Sequence, residues 1–173
     1  VSGTRREAKD KVMSIWDKLP GDWQLHLAGR QVGAAVYQRR ASFDYHAWKL
    51  NLRRGVGDNV TMHEVAHWIE FSSSSPTSFF SKAKEFLADR TTGERLQSLR
   101  SLTGIRYQAN EVARPDRFVD PYMGKDYTVG GRIIATEVLS MGLEAVFYQE
   151  FNAWTRDTDL IDFILAALVY CSP

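Results

Sequence analysis

The 173 residues predict an α+β fold: a small, twisted N-terminal sheet packed on one apolar helix, then a mostly helical C-terminal half. Three observations carry that expectation. Tyr45 to Leu52 alternates in polarity like a half-buried strand. Residues 60–69 are apolar on several sides (Val60, Met62, Val65, Ala66, Trp68, Ile69), as in a helix that passes through a core. The last third holds two apolar stretches at helical spacing.

In chain order, residues 5–18 predict a short amphipathic helix with Val12, Ile15 and Trp16 inward, stopped by Leu19-Pro20-Gly21-Asp22. Strand-like pieces follow at 23–27, 33–40 and 45–52. The third puts Tyr45, Ala47, Lys49 and Asn51 on one face and His46, Trp48, Leu50 and Leu52 on the other. Residues 53–59 read as a turn, with Asp58, Asn59 or Thr61 capping a helix that runs to Phe71. Within 77–102, Phe79, Phe80, Ala83, Phe86 and Leu87 recur at helical spacing, and Thr91-Thr92-Gly93 interrupts. Residues 107–131 are irregular and rich in Asp, Arg, Gly and Tyr, a length of loop that is often functional. A long helix over 132–154 and another over 157–170 finish the chain. The serines at 72–75 read as a loop, so 1–173 forms a single domain. Its first residue is Val, which suggests a domain excised from a longer polypeptide or a processed one.

Residues 63–67 read His-Glu-Val-Ala-His, the HExxH pattern. On a helix, His63 and His67 lie one above the other, where two neutral imidazoles can hold one Zn²⁺. Glu64 lies beside them, placed to act as a base toward a water that the metal activates. The bland alternative is a helix whose histidines are merely satisfied core groups. Against it, half of the chain's four histidines fall in the motif, and buried imidazoles need partners.

A catalytic zinc needs a third protein ligand and an open position. His67 is the last histidine, and His26 and His46 fall in strand-like segments before the motif, so a carboxylate is expected. Glu137 sits in an apolar run of the 132–154 segment, with small Ser140 and Gly142 after it to permit close helix approach. Glu144, seven residues on, shares its face as a supporting group or the alternative ligand; Glu70, Glu150 and Asp126 are weaker options. In the loop before that segment, Tyr127, with Tyr122 and Arg132 as other candidates, would stabilise an oxyanion.

His63, Glu64 and His67 followed by a distant Glu137 resemble the zincin superfamily, in its gluzincin-like plan. Residues 120–127 (Asp-Pro-Tyr-Met-Gly-Lys-Asp-Tyr) and 136–144 look more particularly like metallopeptidase domains of phage proteins and of bacterial effectors or polymorphic toxins. The resemblance implies a zinc-dependent endopeptidase with His63, His67 and Glu137 on the metal and Glu64 as base. It also implies a strand bordering the cleft that binds an extended peptide. Residues 45–52 are the candidate, with an interior position as the alternative.

Composition narrows the rest. Net charge is +1, with no basic stripe to suggest nucleic acid. One cysteine, Cys171, rules out a disulfide framework or a cysteine-rich zinc site within the chain. No signal peptide is visible, and 160–170 is too short to span a bilayer, so a cytoplasmic protein or a part delivered within a larger one are the expected settings. The competing functions are a non-catalytic module stapled by structural zinc and an effector that acts on one host protein. The first would have no need of Glu64. Oligomeric state is left open.

Overall fold

Helix α1 (Thr4–Trp16) carries Ile15 to the core and stacks Trp16 on Trp68, ring centroids 5.9 Å apart. It opens the chain in a computed structural model that describes residues 4–37, 40–72, 75–148 and 156–171. The fold is mixed α+β. Its largest sheet has the order β1-β3-β2. β1 (Gly33–Tyr37) runs parallel to β3 (Lys49–Arg53), and β2 (Ser42–Asp44) runs antiparallel on the other side of β3. Leu50 and Leu52 of β3 point into buried clusters, while Lys49 and Asn51 face the other way.

The HExxH helix, α3 (Asp58–Phe71), passes between the sheet and the C-terminal half. Met62, Val65, Ala66, Trp68 and Ile69 are buried, and so are Glu64 and Glu70. A helix buried on nearly every side must satisfy its polar groups within the protein. Against α3 lies α6 (Val138–Tyr148), with Val138, Leu139 and Leu143 buried. α7 (Thr158–Tyr170) covers α6, and α4 (Phe79–Arg90) buries Phe79, Ala83 and Leu87 beside them. Between α4 and α6 come a short helix, α5 (Leu99–Thr103), and two-stranded ladders β4–β5 (97–98 with 112–113) and β6–β7 (128–129 with 132–133). Among the described residues, no helix is long and apolar enough to cross a membrane.

Several expectations need correction. Residues 21–27 form a helix, α2, rather than a strand: Trp23 and Leu27 are buried four apart, while Leu25 is 76 % exposed. Period 2 and period 4 coincide over so short a run. Tyr45 to Trp48 is a turn, in which Asp44 accepts hydrogen bonds from the backbone N–H of His46 and Ala47 at 3.0 Å each. Trp48 there takes φ 48°. The strand expected over 45–52 is thus confined to 49–53 and is central in the sheet, with β1 and β2 as its edges.

Gly57 occupies the N-cap of α3 and no side chain caps it. Asp58 instead pairs with Lys11 at 2.6 Å, Thr61 donates to the Gly57 carbonyl, and Asn59 turns to Glu144. The helix expected from residue 132 begins at Val138; Arg132 and Ile133 pair in the β6–β7 hairpin. Gly142 makes a close approach to α7 rather than α3, since a Cβ there would lie 2.3 Å from Ile164 Cδ1. Residues 149–155, including Glu150 and the expected end of that helix, lie outside the described residues.

Candidate metal centre and cleft

The middle of α3 and the start of α6 meet where the site lies. Glu137 precedes α6, and its carbonyl accepts the Met141 N–H at 3.1 Å, so it is the residue on which the helix starts. Its side chain is 1 % exposed and points at α3. Oε2 lies 3.1 Å from His63 Nε2 and 3.3 Å from His67 Nε2. Tetrahedral zinc with bonds of about 2.0–2.1 Å requires ligand atoms about 3.3 Å apart. The ligand atoms of His63, His67 and Glu137 all fall within 4.8 Å of one another, so the three could hold such an ion.

Each imidazole is also held from behind. His63 Nδ1 is 3.3 Å from Glu144 Oε2, and Glu144 accepts a second bond from Asn59 Nδ2 at 2.8 Å. His67 Nδ1 is 3.4 Å from Glu70 Oε2. Glu70 is fixed in turn by the backbone N–H of Thr136, at 3.2 and 3.3 Å, and by the Thr136 hydroxyl. In the neutral rings, a proton on Nδ1 facing these carboxylates leaves the Nε2 lone pairs aimed at the point shared with Glu137. Ser140 Oγ donates to Glu137 Oε2 at 2.8 Å, and the Tyr127 hydroxyl donates to Oε1.

The charges are strongly coupled. Burial alone would lower the His63 pKa, but Glu137 and Glu144 outweigh it and raise it to about 9. His67, also opposed by burial, is raised well above its ordinary value by Glu137 and Glu70. Glu137 is held well below the carboxylate range: burial opposes ionisation, and the two imidazoles overcome it. Glu64 moves the other way, raised chiefly by burial against the opposing pull of His67 and His63. Two carboxylates within one cluster are thus pushed apart, one held as an anion and one readied to take a proton.

An open cleft of about 510 Å³ runs past these groups, lined on the sheet side by Ser42 and Phe43 of edge strand β2 and by Asn51. Tyr122, Tyr127 and Lys125 come from the loop before α6, and His63, Glu64, His67 and Glu137 form its floor. A second, smaller hollow of about 380 Å³ continues past Arg40, Ala41 and Glu64 to Val56, Val60 and Glu144.

The structure therefore brings together His63, Glu64, His67, Glu137, Glu144, Tyr127 and Tyr122. Glu70 and Glu144, entertained as ligands, sit behind the histidines. Tyr127 is engaged by Glu137, and Tyr122 by Arg40 and Lys125. Arg132 is exposed in its hairpin, Asp126 pairs with Arg114 at 3.2 Å, and His26 and His46 are exposed elsewhere. Sequence reasoning missed Arg40, Ser42, Phe43 and Asn51 as lining groups: β2, which delivers Ser42 and Phe43, is only three residues long, and β3, which delivers Asn51, has other bounds than expected. Lys125, between Tyr122 and Tyr127, carried a signal: a cation flanked by aromatics in a loop already singled out. Comparison with protein families, curated proteins and solved structures finds no match to this chain, so its site is read from its own geometry.

Proposed function

We propose that this chain is a zinc-dependent endopeptidase built on a zincin-like plan, with His63, His67 and Glu137 as the metal ligands. The observation that carries the reading is the convergence of both Nε2 atoms on one Glu137 oxygen, at 3.1 and 3.3 Å, in a cleft that also presents Glu64. When bound there, zinc would polarise a peptide carbonyl and lower the pKa of a water molecule toward 7. Glu64 accepts the proton from the attacking water and returns it to the leaving amine nitrogen; burial raises its pKa, which suits a group that must both take and give a proton. Glu144 and Glu70 hold the two rings in the tautomer that points Nε2 inward. Tyr127, at the cleft wall, is placed to donate to the oxygen that becomes anionic once its hydroxyl turns from Glu137. β2, the edge strand that lines the cleft, offers a backbone edge along which an extended peptide can lie.

Substituting Glu64→Gln tests the assignment. The variant is expected to fold and to take up zinc like the parent, while turnover of peptide substrates falls about 10²–10⁴-fold. Peptide hydrolysis at the parental rate by the zinc-loaded variant would overturn it. A module that uses zinc only as a staple would leave peptides uncut in both proteins.

A further inference from the structure

One wall of the cleft is cationic and aromatic, and the chemistry so far described uses only its Tyr127. Arg40 Nη2 donates to the Tyr122 hydroxyl at 2.5 Å, and Lys125 Nζ donates to the same oxygen at 3.0 Å. The Lys125 ammonium lies 4.8 Å from the Tyr122 ring centre and 4.7 Å from that of Tyr127, and the side chain is only 11 % exposed. Arg40 is 63 % exposed and lines both the cleft and its continuation. Glu111 is the acid that both cations share, 3.0 Å from Lys125 Nζ and 3.7 Å from Arg40 Nη1, and it is not part of the cleft lining. One carboxylate thus answers two cations, and a positive charge faces the cleft. The acids that do line it are accounted for: Glu137 and Glu144 lie against the imidazoles, and Glu64 stands beside them.

Reach follows from the cleft wall. Arg40 and Lys125 line the same cleft as Glu137, Lys125 Nζ lies 4.7 Å from the Tyr127 ring centre, and the Tyr127 hydroxyl donates to Glu137. That path across one ring and one hydrogen bond spans at most about 10 Å, part of which a substrate side chain itself covers. Extended peptide advances about 3.3 Å per residue, so a substrate group at Arg40 and Lys125 sits one or two residues from the bond over Glu64. Arg is suited to grip a carboxylate in two-point fashion, and a desolvated Lys adds charge.

Resting on the peptidase reading, we propose that Arg40 and Lys125 form a subsite for a substrate carboxylate one or two residues from the scissile bond. An Asp or Glu side chain and a chain-terminal carboxylate share this chemistry.

Binding to zinc-loaded Glu64→Gln protein, followed by fluorescence anisotropy, tests the subsite without turnover. Labelled peptides of one sequence would carry Glu, Gln or Lys at the flanking position with an amidated C-terminus, and a further peptide would end there in a free carboxylate. The Glu peptide is expected to bind about tenfold more tightly than the Gln peptide, the Lys peptide more weakly still, with the difference shrinking in salt. Tighter binding of the free-carboxylate peptide than of the Glu amide would assign the subsite to the chain terminus. Adding Arg40→Glu, at an exposed position, should abolish or reverse the preference while zinc content stays unchanged. Equal binding of all four peptides at low salt overturns the subsite. Failure of the zinc-loaded parent to cut any of them would instead count against the peptidase reading, and the binding preference would still be measured.

Discussion

In the proposed zinc site, Glu144 and Glu70 are the positioning groups, because each lies against the ring nitrogen that faces away from the centre. Replacing either carboxylate by Gln keeps the shape and removes the charge. Each change is expected to weaken zinc binding about 10–100-fold, measured by competition with a chromophoric chelator. Affinity equal to the parent for both variants would contradict the positioning role. Protons and zinc also compete for His63. Its pKa in the folded, metal-free protein is raised from 6.5 to about 9. Protonation therefore stabilises the metal-free fold fully below pH 6.5, and this contribution is lost as pH rises through about 9. Zinc needs the neutral ring, so the thermal stabilisation that zinc adds over chelated protein should grow with pH across the same window. A constant gap between the two melting temperatures would contradict this. At this scale, the pattern at 63–67 was legible because three residues at fixed helical spacing define one face. Glu137 was legible because a carboxylate in an apolar run needs a partner. Arg40 was not: the second of two arginines at the end of an expected strand looks like any solvated charge, and only the fold carries it to the cleft.

Among the elements, the loop that bears Tyr122, Lys125 and Tyr127 depends on Gly124. A Cβ at this position would lie 1.8 Å from the Arg114 carbonyl oxygen, and the Gly124 carbonyl accepts the Arg114 N–H at 2.9 Å. Backbone cannot rotate aside as a side chain can, so Gly124→Ala must displace one of the two segments. The expected cost is about 1–3 kcal/mol in chemical denaturation of the metal-free protein. A change within about 0.5 kcal/mol would show that the approach is not required. The helices α1, α3, α4 and α7 were readable because each repeats buried residues over three turns or more. The short elements were not. Residues 21–27 satisfy both periods, β2 is three residues long, and the polar hairpin at 128–133 carries no periodicity that sets it apart from the helix after it.

For the molecule as a whole, the expected α+β class holds because its determinants are long-range and redundant: one apolar helix with a sheet on one side and helices on the other. What fold class alone does not supply is the meeting of Glu137 with α3, which depends on where α6 starts. Had the helix run from Arg132 as its apolar content suggests, Glu137 would lie within a continuous helix; instead its backbone starts the helix and its side chain turns to the histidines. The proposed endopeptidase requires that these three side chains hold one zinc ion, which anomalous diffraction at the zinc absorption edge, from crystals of the zinc-loaded protein, can locate. The predicted result is a single strong peak about 2.0–2.2 Å from His63 Nε2, His67 Nε2 and a Glu137 carboxylate oxygen. A peak on other residues, or none there at saturating zinc, would contradict it.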